Sequence, residues 1–353
     1  VSAAFRGPGG YGCLPDPDTV RTPSSRVLLG TASTPSAATL RAHTPSVPLD
    51  QGPTSSCVGH AFAASIFASL SAAGTPLPDV PSPVGIYTLA RCIDRAATED
   101  GGDLPPLVDT GSFPDQAARA LREWGCGATI TDWPTDPARI NDEPTLGKLR
   151  GQSLFKLVGH YKINTYGGAR VLDIRRALAA GFAVTCAVDV DEAFEAYDGG
   201  VLGARKGDNL GGHYIYLHGY DTEVDGKTVF EGTNSWGIGW GALGRFRGDE
   251  AFAARLRDLY VMKVRRALCG RARWFSGSPS SPSSRASVRS TRLPPGPTRQ
   301  SPRRTSIGCC WTAGRPSKSP RAPGSRRSVA PRPRGSTGGI RASSFSPTRR
   351  RRA

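Results

Sequence analysis

Cys57 opens an apolar, alanine-rich run, with Gln51 six residues before it. A Gly211-Gly212-His213 step and an Asn234-Ser-Trp-Gly segment follow far downstream. A thiol is a weak nucleophile until it loses its proton, at a free value of about 8.5. The N-terminus of a helix and a neighbouring imidazole both lower that value. His213 can take the thiol proton, and the glycines before it let backbone approach closely. Asn234 can accept a hydrogen bond from the other ring nitrogen and fix the tautomer, with Trp236 placed to keep water off that bond. The Gln51 amide and the Cys57 backbone N–H can donate to the oxyanion that forms when a thiolate attacks a carbonyl. Together these residues imply a thiol-dependent hydrolase of peptide bonds, with a preformed Cys57–His213 ion pair and a bell-shaped pH profile. Singly, each has a structural reading: a packed thiol, a satisfied strand histidine, a turn asparagine.

The elements that must hold these groups are legible from periodicity. Residues 57–73 read as a buried helix, with Phe62, Ile66 and Leu70 on one stripe and Ser55 or Ser56 as N-cap. Helices are also expected at 83–95, at 114–124 (entered at Pro114, closed at Gly125) and at 173–180. The period then becomes strand-like at 182–188, 214–220, 227–233, 243–247 and 260–264, with an Asp225-Gly226 hairpin turn. A helical half thus carries the nucleophile and a β-rich half carries the base, with the site in the cleft between them. His60, one turn from Cys57, reads as packing or a neighbour of the site. His218 reads as a sheet-face residue, and His43 and His160 have no partner named by the sequence. Trp240 and Gly241 read as shaping a turn.

Charge divides the chain. The formal net charge is +17, but residues 265–353 hold 22 Lys and Arg and no acid, leaving 24 basic and 29 acidic residues in 1–264. The tail is rich in Arg, Pro and Ser, has no apolar periodicity and is expected to be disordered. Three readings of it stand: a solvated tail without a partner, a binder of nucleic acid or another polyanion, or a shifted-frame translation of GC-rich coding DNA. Residues 1–47 read as an extended arm wrapping the body. The eight cysteines form no zinc pattern and imply no disulfide framework. No apolar run reaches membrane-spanning length, and the residues call for no cofactor or metal.

Gln51 to Cys57, Gly-Gly-His213 ahead of a strand, and Asn234-Ser-Trp236-Gly-x-x-Trp240-Gly-x-x-Gly244 resemble the papain-like cysteine peptidases, over about 48–264. The resemblance implies a two-lobed α+β fold: a helical lobe at about 48–150 and an antiparallel, barrel-like β lobe at about 151–264. It also implies a polypeptide substrate, an acyl-thioester at Cys57, His213 as base and acid, Asn234 as its orienter and Gln51 as oxyanion donor. Gly111 and Ser112 stand where the family has a Gly-Gly pair that hydrogen-bonds substrate, and Gly212 and Trp236 complete the expected substrate-binding set. The chain departs from the pattern at Val58, where the family has Trp, and at Thr54, where it has a bridged Cys. The segment before Gln51 is too short for a long helical inhibitory propeptide. A weakened peptide-binding module and a polyanion binder acting through the tail are the alternative functions. Endopeptidase action is favoured over exopeptidase action.

Overall fold

The computed structural model describes residues 10–31, 33–95, 106–142, 153–224 and 226–267, all within one compact unit. The expected basic tail from 268 onward and Asp225 of the hairpin lie outside these residues.

The helices, in chain order, are α1 (Arg26–Leu29), α2 (Cys57–Ala72), α3 (Pro83–Arg95), α4 (Pro114–Glu123), α5 (Gly167–Ala179), α6 (Glu192–Glu195) and α7 (Glu250–Arg255). The strands are β1 (Ala37–Thr39), β2 (Phe155–Lys162), β3 (Val184–Val190), β4 (Gly211–Val224), β5 (Lys227–Thr233), β6 (Arg245–Gly248) and β7 (Arg257–Arg266). They form one antiparallel sheet in the order β2-β7-β3-β4-β5-β6, with β1 of the arm paired to β4.

Two cores result. In the first, Phe62, Ile66 and Leu70 of α2 pack with Ile86 and Leu89 of α3, Ala117 and Leu121 of α4, and Phe155 and Tyr214 of the sheet. Helix α2 is buried on nearly all sides because its small residues admit neighbours closely. Gly59 marks the tightest point: a Cβ there would lie 2.2 Å from the Pro83 carbonyl oxygen of α3. The second core lies on the other face of the sheet, where Val188, Ile215, Leu217 and Phe230 meet α5, Phe194, Phe246 and Phe252.

Three elements that differ from the sequence reading have a clear physical reason. Helix α5 begins at Gly167, six residues earlier than expected. Arg170 anchors the added turn, its guanidinium donating to the carbonyls of Thr165, Ala254 and Leu256 at 2.6–2.8 Å. Strand β2 was not anticipated. Its alternation is interrupted by an irregularity between Leu157 and Gly159, which moves the inward series from Phe155 and Leu157 to His160. The strand expected at 243–247 starts at Arg245, because Leu243 and Gly244 are in the left-handed region and make a turn.

Gly59→Ala should lower unfolding free energy by about 1–3 kcal/mol through overpacking, despite alanine's better helix propensity. Urea denaturation checks this, and an unchanged midpoint would mean that α2 and α3 are not held at that contact.

Candidate active site

Cys57 is the first residue of α2 and is fully buried. The N-cap is Ser56, but its hydroxyl makes no capping bond. It pairs instead with Thr54 Oγ1 at 2.6 Å and His60 Nδ1 at 3.2 Å. Burial pushes the Cys57 thiol up to about 12, although the backbone amides of Gly12, Tyr214 and Val58 pull it down. The Tyr214 amide reaches this sulfur from the residue after His213.

His213 Nε2 lies 2.6 Å from Asn234 Oδ1. An amide oxygen only accepts, so Nε2 carries the proton and Nδ1 is a bare acceptor. Nδ1 is buried without a hydrogen-bond partner among the described residues. Trp236 covers the pair, its ring centroid 4.6 Å from that of His213, and Phe194 packs against both. Burial lowers His213 to about 4, Asn234 raising it and His60 adding to the lowering. Burial thus works against the charged form of both groups in this form.

What excludes the water is the arm. Gly10, Tyr11, Gly12 and Cys13 run through the cleft and touch every residue expected to bind substrate. Cys13 N–H donates to Gly212 O at 3.1 Å, Leu14 N–H to Ser112 O at 3.2 Å, and Ser112 N–H to Gly12 O at 2.9 Å. Cys13 and Ser112 thereby form a parallel bridge. Serine in place of glycine at 112 leaves this backbone pairing intact. A Cβ on Gly111 would lie 2.3 Å from Gly12 O, and one on Gly12 would lie 1.9 Å from Ser55 O. Tyr11 packs on Trp236 and donates its hydroxyl to Glu195. The Gln51 side-chain amide donates to Gly10 O at 2.9 Å and to Thr54 O at 2.6 Å, while its oxygen accepts from Ser235 at 2.6 Å. The donor expected for an oxyanion thus already holds a peptide carbonyl.

A family model described as "Papain family cysteine protease" matches residues 148–253, the stretch with His213 and Asn234. Cathepsin B-like CP3 of Giardia intestinalis is 32% identical over 204 residues, covering 56% of this chain and 62% of the relative. In sequence over 148–253 and in fold, the chain is similar to the papain-like cysteine peptidases. Cathepsin B-like cysteine proteinase 4 of Caenorhabditis elegans is 31% identical over 129 residues, or 35% of this chain and 38% of the relative. The chain spans less than two thirds of the length of either relative. Xylellain, a cysteine protease from Xylella fastidiosa, shares the fold with a TM-score of 0.56 at 22% identity, covering 74% of this chain and 99% of that one. ProCathepsin B S9 from Trypanosoma congolense does so with a TM-score of 0.55 at 18% identity, covering 73% and 87%.

This papain-like cleft includes residues that sequence reasoning left aside. Asp109 accepts the Ser55 N–H at 3.0 Å and the Tyr87 hydroxyl at 2.8 Å, and that hydroxyl accepts the Gly111 N–H at 2.9 Å, which fixes the cleft wall. His60 bonds on both sides, Nδ1 to Ser56 O at 3.0 Å and Nε2 to Thr135 Oγ1 at 3.0 Å. His218 lies on the sheet, 3.1 Å from Thr233 Oγ1. His43 meets Ser71 Oγ at 3.1 Å. Trp240 Nε1 donates to the carbonyls of Phe194 and Glu195, shaping the turn. Cys13, Cys57, Cys126 and Cys186 carry free thiols.

His60 and His213 are held down at about 4 and His218 at about 3, each chiefly by burial, against an ordinary value of 6.5. A depressed folded value means stability that is complete above pH 6.5 and is lost as pH falls toward 4. The urea midpoint should fall across that window, by up to about 1.4 kcal/mol per pH unit for each histidine. His218→Gln should flatten the fall, and a midpoint constant from pH 6.5 to 4.5 would contradict the neutral burial.

Proposed function

We propose that this chain is a cysteine-type peptidase that hydrolyses polypeptides at Cys57 and is covered, in the form described, by its own arm. The observation that carries this reading is the arm itself. It is a stretch of polypeptide laid through the cleft, with a carbonyl on the Gln51 amide and the Gly12 N–H at the Cys57 sulfur. Ser112, Gly212 and Trp236 contact it as they would contact substrate.

Once the arm leaves, water and substrate reach the sulfur and the desolvation that keeps the pair neutral is relieved. His213 Nδ1 takes the thiol proton, and the thiolate attacks the scissile carbonyl carbon. The oxyanion is held by the Gln51 amide and the Cys57 N–H. The C–N bond breaks as His213 returns the proton to the leaving amine, which leaves a thioester. Water then gives a proton to His213, attacks the thioester and releases the acid with the thiol restored. Asn234 keeps the ring in register throughout.

Passage of the arm supports endopeptidase action. Tyr11 sits on the Trp236 side of Cys57 and Leu14 on the Ser112 side, so chain continues on both sides of the nucleophile. No helix among the described residues is long and apolar enough to cross a membrane. Binding of polyanions through the tail is a separate property, to be read from salt-dependent retention on heparin.

Cys57→Ala should abolish hydrolysis of an unspecific fluorogenic peptide, and equal rates would leave only a peptide-binding module. Gln51→Ala should lower kcat by about two to three orders of magnitude, the loss typical of one oxyanion donor. Gly12→Ala, whose methyl cannot fit beside Ser55 O, should instead raise the rate of the full chain. A Gly12→Ala rate at or below that of the parent would argue against the arm as a cover.

A further inference from the structure

Beyond Leu14 the arm leaves the nucleophile and sets Asp16 into a socket made by the body. The Asp16 side chain is wholly buried. One carboxylate oxygen accepts the Asp115 backbone N–H at 3.0 Å, at the start of α4. The other accepts the Tyr260 hydroxyl at 2.6 Å and lies 3.5 Å from Lys162 Nζ. The three donors come from α4, β7 and β2, and only the acceptor belongs to the arm. Lys162 is held in place by Asp258, 2.7 Å away, which also accepts the Asp16 N–H at 3.3 Å. Asp258 is in the left-handed region (φ 43°), where the β3–β7 register shifts, and this irregularity aims its carboxylate at Lys162. Hydrolysis at Cys57 uses none of these groups.

We propose that Lys162, Tyr260 and the Asp115 amide form a carboxylate-binding site, filled in cis by Asp16 and taken in trans by an acidic side chain of an incoming peptide, which unseats the arm. The inference rests on the peptidase reading, since the unseated segment is the one that covers Cys57. The chemistry selects a carboxylate. Burial and the neighbouring Asp16 raise the Tyr260 phenol, so at neutral pH it keeps the proton it donates to Asp16, while the ammonium and the amide can only donate. A carboxamide would turn its NH2 toward one of these donors and leave a buried group unsatisfied. The seat is also openable. Burial pushes the Asp16 carboxyl above its ordinary value, although Tyr260, the Asp115 amide and Lys162 pull it down. Docking the carboxylate thus retains a desolvation cost that a better-fitting ligand can exploit.

The test uses the full chain and follows alkylation of Cys57 by iodoacetamide, read at that residue by mass spectrometry. The probe is the hexapeptide of residues 14–19, Leu-Pro-Asp-Pro-Asp-Thr, which carries the Asp16 carboxylate but is too short to cover Cys57. Its saturable acceleration of alkylation is expected, with no response to the same peptide bearing Asn for Asp. Asp16→Asn should raise the basal rate about tenfold, the equivalent of one hydrogen bond to a charged group. Lys162→Met should raise it too and abolish the response to the hexapeptide. Equal action of the acidic and amide peptides, or no action of either on the unaltered chain, would overturn the proposal whether or not the variants fold. Alkylation needs no turnover, so the two readings fail separately. If the acidic peptide accelerates alkylation but no form cleaves peptides, the peptidase reading falls and the carboxylate site stands. If the chain cleaves peptides but the hexapeptide does nothing, the carboxylate site falls.

Discussion

Removing water from the Cys57 sulfur and the His213 ring is the constraint on which the rest of the site depends. A thiolate and an imidazolium buried together must each give up hydration, and their mutual attraction must offset that loss. Under the arm, burial pushes the thiol up to about 12 and the imidazole down to about 4. On the proposed function, the arm has two linked effects: it fills the place of substrate, and it removes the solvent that would support the reactive charges. Cover and chemistry are one device.

The fold keeps both groups in place while they wait. Helix α2 is wedged into the first core by residues small enough to admit α3 at Gly59. Strand β4 runs from Gly211 to Val224 through the middle of the sheet and feeds both cores: Tyr214 faces α2, and Ile215 faces the aromatic cluster behind. His213 precedes Tyr214 on this rigid strand, and Asn234 follows β5, which pairs with β4. The placement of His213 and Asn234 is thus set by a ladder of backbone hydrogen bonds, which holds it more firmly than a loop would. Across the cleft, Gln51 N–H donates to Ser235 O at 2.9 Å and Ser235 Oγ to Gln51 Oε1 at 2.6 Å. The turns that carry Gln51 and Asn234 are therefore tied directly to each other.

Much of this could be read from residue types. A cysteine at a helix start, Gly-Gly before a histidine, and an asparagine followed by two Trp-Gly pairs carry side-chain chemistry that few other purposes explain. Periodicity placed α2, α3, α4 and β5 within a residue or two. The course of the arm was not legible, because its pairing with Ser112 and Gly212 runs through backbone groups that nearly any sequence supplies. Gly12, tight against Ser55 O, Tyr11, packed on Trp236, and Asp16, a carboxylate in a Pro-Asp-Pro turn, have side-chain requirements there, and all three also fit an exposed loop. The neutrality of Cys57 and His213 was equally hidden, since it depends on what covers them and not on their own types. Strand β2 lost its signal to the register shift at Gly159.

The arm is tethered firmly behind the strap that covers the cleft. Ser25 N–H donates to Lys162 O at 2.9 Å, Arg26 pairs with Asp173 at 2.9 Å, and β1 joins β4. The strap from Gly10 to about Pro23 therefore returns to its seat at an effective concentration of order millimolar, as short tethers do. A free carboxylate of ordinary affinity cannot match this unless it is abundant. A polypeptide that places an acidic side chain in the Lys162–Tyr260 socket and main chain along Ser112 and Gly212 replaces both sets of contacts at once. That requirement for two simultaneous replacements would make the cover selective: small ligands loosen it in proportion to their concentration, whereas a fitting polypeptide displaces it and occupies the site it uncovers.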